Sequence, residues 1–117
     1  MFNDMLAMSN NGGGNPITFD DLSVVDKTVL TTITTAGASW TATEDCVLGG
    51  IIQGSSSAAA YLYLNNVVVF STVGTCGFAV PSSDATTPST YGLFIPKGTE
   101  VKTRAYGTYN LKIYSLN

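Results

Sequence analysis

The chain has 117 residues, of which 44% are hydrophobic and only 11% are charged, and its net charge is −3. Chains shorter than about 150 residues rarely contain two separate cores, so we expect one domain. The acidic balance excludes the basic surface that binding to a phosphate backbone requires, so we expect no nucleic-acid partner. An average soluble domain is roughly 25% charged, and here Ser, Thr, Asn and Gly must cover the surface instead. Another subunit or a sugar can desolvate such a surface easily.

The absence of histidine limits the chemistry of the chain. It removes the imidazole base, the imidazole metal ligand and the side chain that titrates near neutral pH. The two cysteines, Cys46 and Cys76, are too few for a tetrahedral thiolate zinc site, and we expect neither a cofactor nor a structural metal. In a reducing compartment we expect both thiols to be buried and free, and the alternative is a disulfide between them.

Residues 1–16 predict a leader that is separate from the core. Phe2, Met5 and Leu6 fall mostly on one face of a short helical or disordered segment, and residues 9–16 are rich in Gly and Asn, as in a tether. The leader has no basic start and no long apolar stretch, so we expect neither a secretion signal nor membrane insertion. Two interpretations stay open: these apolar residues either dock on a partner assembly or belong to a terminus that is frayed or folded back.

Residues 17–117 predict a single all-β domain. Short runs of Val, Ile, Thr and Tyr are separated by clusters of Gly, Asn, Pro and Ser, and no stretch after residue 16 has helical periodicity. About eight to ten short strands are typical of an antiparallel β-sandwich, and we expect a jelly roll. Gly49 and Gly50 interrupt an apolar run and predict a bulge or a bend, and residues 81–90 predict a surface loop.

The clearest hairpin joins two apolar runs across Asn65 and Asn66, because asparagine tolerates the positive φ of a two-residue type I′ turn. The first of these runs has leucines on one face and tyrosines on the other, so something must cover the second face. A second copy of the chain is the simplest cover, and the alternative is a set of half-exposed tyrosines. Our candidates for an interface between copies are Tyr61, Tyr63, Phe70 and Tyr114.

The acidic residues offer no catalytic pair. Asp20–Asp21 and Glu44–Asp45 lie at predicted turns, where acids are common for local hydrogen bonding. No loop has the regular alternation of acids that calcium loops have. Without histidine no activated nucleophile is visible, so we expect the protein not to be an enzyme.

Recognition of a ligand would depend on exposed aromatic and cationic side chains. Tyr91, Tyr106 and Tyr109 lie at or next to predicted turns, where a ring can stack on a sugar, although packing is the alternative for each. Lys102 and Arg104 fall on one face of their strand. They form either a patch for acidic glycans or a solvated outer face that discourages edge pairing.

Four segments carry a resemblance to a known family: residues 40–46 (WTATEDC), 64–67 (LNNV), 95–99 (IPKGT) and 112–116 (KIYSL). Their order, over residues 31–117, resembles that of small bacteriophage and prophage fibre-tip proteins. Those proteins have a segment of the WTA-x-ED-G kind, then an NG or NN hairpin, and later a KGD or KGT turn. Here Cys46 stands where a glycine is common.

The resemblance implies a homotrimeric jelly roll of the tumour-necrosis-factor kind that is carried on a phage tail or head and contacts glycans of the host surface. It also implies that the leader binds other virion proteins, and that the protein is made in the host cytoplasm and located in the virion. Two other classes stay open. One is a capsid decoration or cement protein without a ligand, and the other is a bacterial surface carbohydrate-binding module, which would need an export route.

Overall fold

The computed structural model describes residues 16–72, 75, 77–80 (without the side chain of Phe78) and 90–116. A single 3-10 turn, Asp20–Leu22, comes first and is the one helical element among these residues, where the sequence predicted none. The strands that follow are β1 Val29–Ile33, β2 Ser39–Thr41, β3 Cys46–Gln53, β4 Tyr61–Leu64, β5 Val67–Ser71, β6 Gly77–Val80, β7 Leu93–Ile95, β8 Glu100–Thr103 and β9 Thr108–Ser115.

The strands form two antiparallel sheets that pack as a sandwich. Sheet I has the order β1-β9-β3-β6, with β7 also paired to β3, and sheet II has the order β2-β8-β4-β5. Apart from the β4–β5 hairpin and the neighbours β6 and β7, consecutive strands alternate between the two sheets. This strand order is that of a jelly roll, so the predicted fold class is confirmed.

The core lies between the inner faces of the two sheets. In β9 every second residue from Tyr109 to Ser115 is buried, and the residues between them are exposed or half-buried. Leu48, Leu62 and Val101 bring fully buried side chains from three further strands. Each such side chain contributes about 1.5–3 kcal/mol on burial, so the alternation of apolar residues fixes which face of each strand turns inward.

The glycine pair in β3 allows a change of pairing partner. Of the bulge or bend predicted here, the bulge is wrong, because β3 pairs with β9 without a shift of register from Cys46 to Gln53. On its other edge β3 pairs first with β7, up to Leu48, and then with β6, from Gly50 onward. Gly50 has a φ of 130°, which residues with a side chain rarely adopt.

Of the turns after β4 and before β9, the first was predicted correctly and the second was not. Asn65 and Asn66 have φ values of 50° and 66°, so the type I′ hairpin is confirmed. Tyr106 and Tyr109 were both predicted at or next to a turn, but the turn ends before Tyr109, because β9 already begins at Thr108. Gly107, with a φ of 104°, completes the reversal before Tyr109 takes its place in the alternating pattern of β9.

Residues 16–28 are here called the strap, and Val24 of the strap reaches the outer face of sheet I, where its Cγ1 lies 3.8 Å from the position of a Cβ added at Gly49. The backbone N–H of Val24 donates to the Thr90 carbonyl at 2.8 Å, and the N–H of Gly92 donates to the Leu22 carbonyl at 2.9 Å. Val47 points to this outer face, opposite Tyr114, and is nevertheless fully buried. The outer face of this sheet is therefore covered in part by the same chain.

Some predictions concern residues that the structure does not describe. The leader with Phe2, Met5 and Leu6, most of the predicted loop at 81–90, and Cys76 lie outside the described ranges. Within those ranges, no helix is long and apolar enough to cross a membrane.

Candidate functional site

The outer face of sheet II brings aromatic and cationic side chains together. In β4 the side chain of Leu62 is buried, whereas Tyr61 and Tyr63 are half-buried and point outward. Tyr63 lies opposite Lys102 of β8, and the backbone N–H of Arg104 donates to the Tyr61 carbonyl at 3.3 Å. The surface formed by Tyr61, Tyr63, Lys102, Arg104 and Tyr106 is called the tyrosine–cation face below.

Each cation of this face lies over tyrosine rings. The Lys102 Nζ is 5.0 Å from the centre of the Tyr63 ring. The Arg104 Cζ is 4.4 Å from the ring centre of Tyr61 and 5.3 Å from that of Tyr106. Cations within about 6 Å of a ring gain about 0.5–1 kcal/mol at exposed sites, so these contacts hold the long side chains in place.

The hydrogen bonds of the two cations go to neutral oxygens. Arg104 Nη1 donates to the Ala59 carbonyl at 3.0 Å, and Lys102 Nζ donates to Asn66 Oδ1 at 2.6 Å. An arginine has five N–H donors and a lysine has three, so both keep further donors. Glu100 is on the same face, two residues before Lys102, and its Oε2 accepts a 2.7 Å hydrogen bond from the Ser39 hydroxyl.

Tyr109 is buried under this face, which corrects its assignment as a glycan contact. Its side chain is only 2% exposed, so its ring cannot stack on a sugar. The hydroxyl donates to the Tyr106 carbonyl at 2.7 Å and accepts from the Tyr61 N–H at 3.1 Å. Burial raises the pKa of Tyr109 above its usual value. This buried side chain therefore ties the backbone of the two tyrosines whose rings flank Arg104.

The other two tyrosines predicted as ligand contacts lie in different places. Tyr106 is 59% exposed and belongs to the tyrosine–cation face. Tyr91 is half-buried and stacks on Phe19 of the strap, with ring centres 4.1 Å apart. The structure therefore brings Lys102, Arg104 and Tyr106 together and leaves Tyr91 elsewhere.

The four residues predicted for an interface do not form one surface. Phe70 pairs with Leu62 and packs against the core, because a bulge in β5 shifts the register between Leu62 and Tyr63. Without that bulge Phe70 would lie opposite Tyr61 on the outer face. Tyr114 lies on the outer face of sheet I, away from the two tyrosines of β4. The four candidates therefore cannot all belong to one interface surface.

Acidic residues at the turns make local hydrogen bonds. An Asp21 carboxylate oxygen accepts from the Thr18 N–H at 2.9 Å, and this bond lowers the pKa of Asp21. Asp45 Oδ1 accepts from the Lys97 N–H at 2.9 Å. Among the described residues, no group of three or more Cys, Asp or Glu side chains is placed to hold a metal ion.

Cys46 is a buried free thiol in the core. Its Sγ donates to the Ile95 carbonyl at 3.5 Å. Burial, with smaller contributions from the charges of Glu44 and Asp45, raises the pKa of Cys46 from 9.0 to about 12. The folded protein therefore keeps this thiol protonated at a pH at which the unfolded chain releases the proton.

We expect this difference to lower the free energy of unfolding as pH rises above 9. The unfolded state loses its proton near pH 9.0 and the folded state only near about 12, so high pH favours the unfolded state. The test compares C76S with the double variant C46A/C76S by denaturant unfolding at about pH 8 and about pH 10. Between these pH values, the free energy of unfolding of C76S should fall by about 1 kcal/mol more than that of C46A/C76S. Equal losses would contradict the prediction, because the other titrating groups are common to both proteins.

The fold and the site define the class of the protein as a small antiparallel jelly roll with an outward tyrosine–cation face. Comparison of the chain with protein-family models, with curated proteins and with solved structures finds no match. Its function is therefore inferred from the chemistry of its own surfaces and from the sequence resemblance.

Proposed function

We propose that the protein is a structural protein of a phage virion: a homotrimeric fibre or receptor-binding tip that contacts host-surface glycans through the tyrosine–cation face. The observation that carries the proposal is the set of three tyrosine rings held around two cations on the outer face of β4, β8 and the turn that follows β8. A tyrosine ring stacks on a sugar and its hydroxyl bonds to sugar hydroxyls. The jelly-roll topology agrees with the fold that the resemblance implies.

A surface that binds a ligand cannot also be permanently buried between subunits. Burying Lys102 and Arg104 against another copy would desolvate two like charges at an energetic cost. These cations also cover the rings of Tyr61 and Tyr63, so a second copy is not needed as their cover. In the proposed trimer the subunit contact therefore lies elsewhere, and Tyr114, on the outer face of sheet I, is the remaining candidate.

The proposal also gives roles to the rest of the chain. The leader, with Phe2, Met5 and Leu6, would attach the trimer to other virion proteins, which places the protein in the virion. A decoration or cement protein would share the fold and the trimer but would bind no glycan. Binding of a glycan is therefore the property that separates the two functions.

A glycan array tests the proposal with the full chain. We expect the wild-type protein to bind a subset of glycans and Tyr106→Ala to weaken that binding by about threefold to tenfold, because one stacked ring contributes about 0.5–1.5 kcal/mol. The matched control is Phe19→Ala, which removes another exposed ring from the strap, and it should bind like the wild type. Native mass should be three times the 12.2 kDa of one chain. A trimer that binds no glycan on the array would instead fit a cement protein.

A further inference from the structure

The charge of the tyrosine–cation face differs from that of the whole protein. The chain has a net charge of −3, with 8 acidic and 5 basic residues. Among the described residues, Lys102 and Arg104 are accompanied on this face by one carboxylate, Glu100, which is bonded to Ser39 at the β2 side of sheet II. The end of the face near Tyr61 is therefore a positive area on an acidic protein.

Arg104 is held in place before any ligand arrives. Its guanidinium lies between the rings of Tyr61 and Tyr106, and Nη1 is bonded to the Ala59 carbonyl. Tyr109 in turn fixes the backbone of both tyrosines. An arginine that is already ordered loses less conformational entropy on binding, and its planar fork of N–H donors matches a carboxylate, sulfate or phosphate group.

From these observations we infer that the ligand of the tyrosine–cation face is an acidic glycan, in which charged groups pair with Lys102 and Arg104 while a sugar ring stacks on the exposed ring of Tyr106. The inference rests on the proposed function and specifies its ligand class. A neutral glycan that covered the face would offer the two cations only neutral oxygen acceptors, so their charges would be desolvated without an opposite charge to compensate, which is unfavourable. An anionic glycan satisfies the same groups with charge-assisted hydrogen bonds, which are the stronger kind.

Two pairs of polymers that differ mainly in charge test the inference. The probes are polygalacturonate with its methyl ester, and dextran sulfate with dextran, each immobilised for biolayer interferometry with the full chain. We expect binding to the charged member of at least one pair and little or none to its neutral partner. Rising salt should weaken this binding, because exposed charges are screened within about 10 Å at 0.1 M ionic strength.

Variants assign the binding to this face. The double change Lys102→Gln and Arg104→Gln should weaken binding by at least about tenfold, since two charge-assisted contacts are lost. The matched control is Lys112→Gln, which removes an exposed charge from the outer face of sheet I and should leave binding within about twofold of the wild type. Arg104→Lys keeps the charge without the planar fork, and we expect an intermediate affinity. Melting curves confirm that each variant is folded.

Four results would overturn the inference. Equal binding to the charged and neutral members of both pairs would show that the protein binds glycans without preferring acidic ones. If Lys112→Gln weakened binding as much per charge removed as the double variant does, the attraction would be a property of overall charge. Absence of binding to both charged polymers would also overturn it, and the glycan array would then decide the proposed function independently. A change of native mass in the double variant would identify the face as a contact between copies instead.

Discussion

Replacement of Gly50 by alanine is expected to lower the free energy of unfolding by about 3 kcal/mol or more. Gly50 has a φ of 130°, and an alanine there would be strained. A Cβ would also lie 2.8 Å from the Cα of Leu111 and nearer still to the carbonyl oxygen of Asn110. Both are backbone atoms of β9, which pairs along the whole of β3, so relief of the clash requires a break in the middle of sheet I.

Gly98→Ala is the matched control for this effect. Gly98 also has a positive φ, 88°, but apart from its own two chain neighbours no described residue has a heavy atom within 4 Å of the Cβ that alanine would add. Only the backbone strain remains, and we expect a loss of about 1 kcal/mol. Denaturant unfolding of the two variants beside the wild type measures the difference. A Gly50 variant as stable as the Gly98 variant would show that β9 can yield, contrary to the prediction.

Local patterns were sufficient to predict most of the strands. The Asn65–Asn66 turn and the inward positions of Val101 and Thr103 are set by residues close by in the sequence, so they can be predicted from the sequence alone. The strap was not predicted. Its hydrogen bonds join backbone atoms, as between Leu22 and Gly92, and backbone hydrogen bonds do not require a recognisable pattern of side chains. The apolar residues of β3 on both faces were the one hint that this sheet needed a cover.

The members of the candidate site were predicted better than their arrangement. Lys102 and Arg104 were placed on one face by alternation alone, as the structure shows. Tyr61 and Tyr63 were predicted for an interface, because nothing local indicates that β4 pairs with β8, about forty residues further along the chain. The pairing of β4 with β8 brings the tyrosines and the cations together.

The errors at Phe70 and Tyr109 have separate local causes. A bulge in β5 turned Phe70 from the outer face to the inner one, and a single inserted residue reverses every later position in such a strand. Tyr109 was predicted at or next to a turn because Gly107 lies two residues before it. Tyr109, Leu111 and Ile113 are alternate residues, and this apolar alternation could have placed Tyr109 in the core.

Deletion of residues 1–25 is expected to lower the melting temperature by about 10 °C or more. It removes the Phe19 ring from Tyr91, and it removes the partners of the Gly92 N–H and the Thr90 carbonyl. These bonds contribute about 1 kcal/mol each, and the half-buried side chains of the strap add to them. A loss of about 3 kcal/mol corresponds to a shift of this size in a domain of about 100 residues.

Deletion of residues 1–15 alone is the control, and we expect an almost unchanged melting temperature, because a Gly-rich tether transmits little stability. Both truncated proteins keep the contacts of the C-terminal end, where Lys27 Nζ donates to the Leu116 carbonyl and the Ser115 N–H donates to the Thr28 carbonyl. A difference between their melting curves therefore measures residues 16–25 only. An equal drop in both would mean that the leader packs on the domain, which contradicts its proposed role as an anchor. If neither curve shifts, the strap does not stabilise the sandwich, and burial of Val47 must depend on other residues.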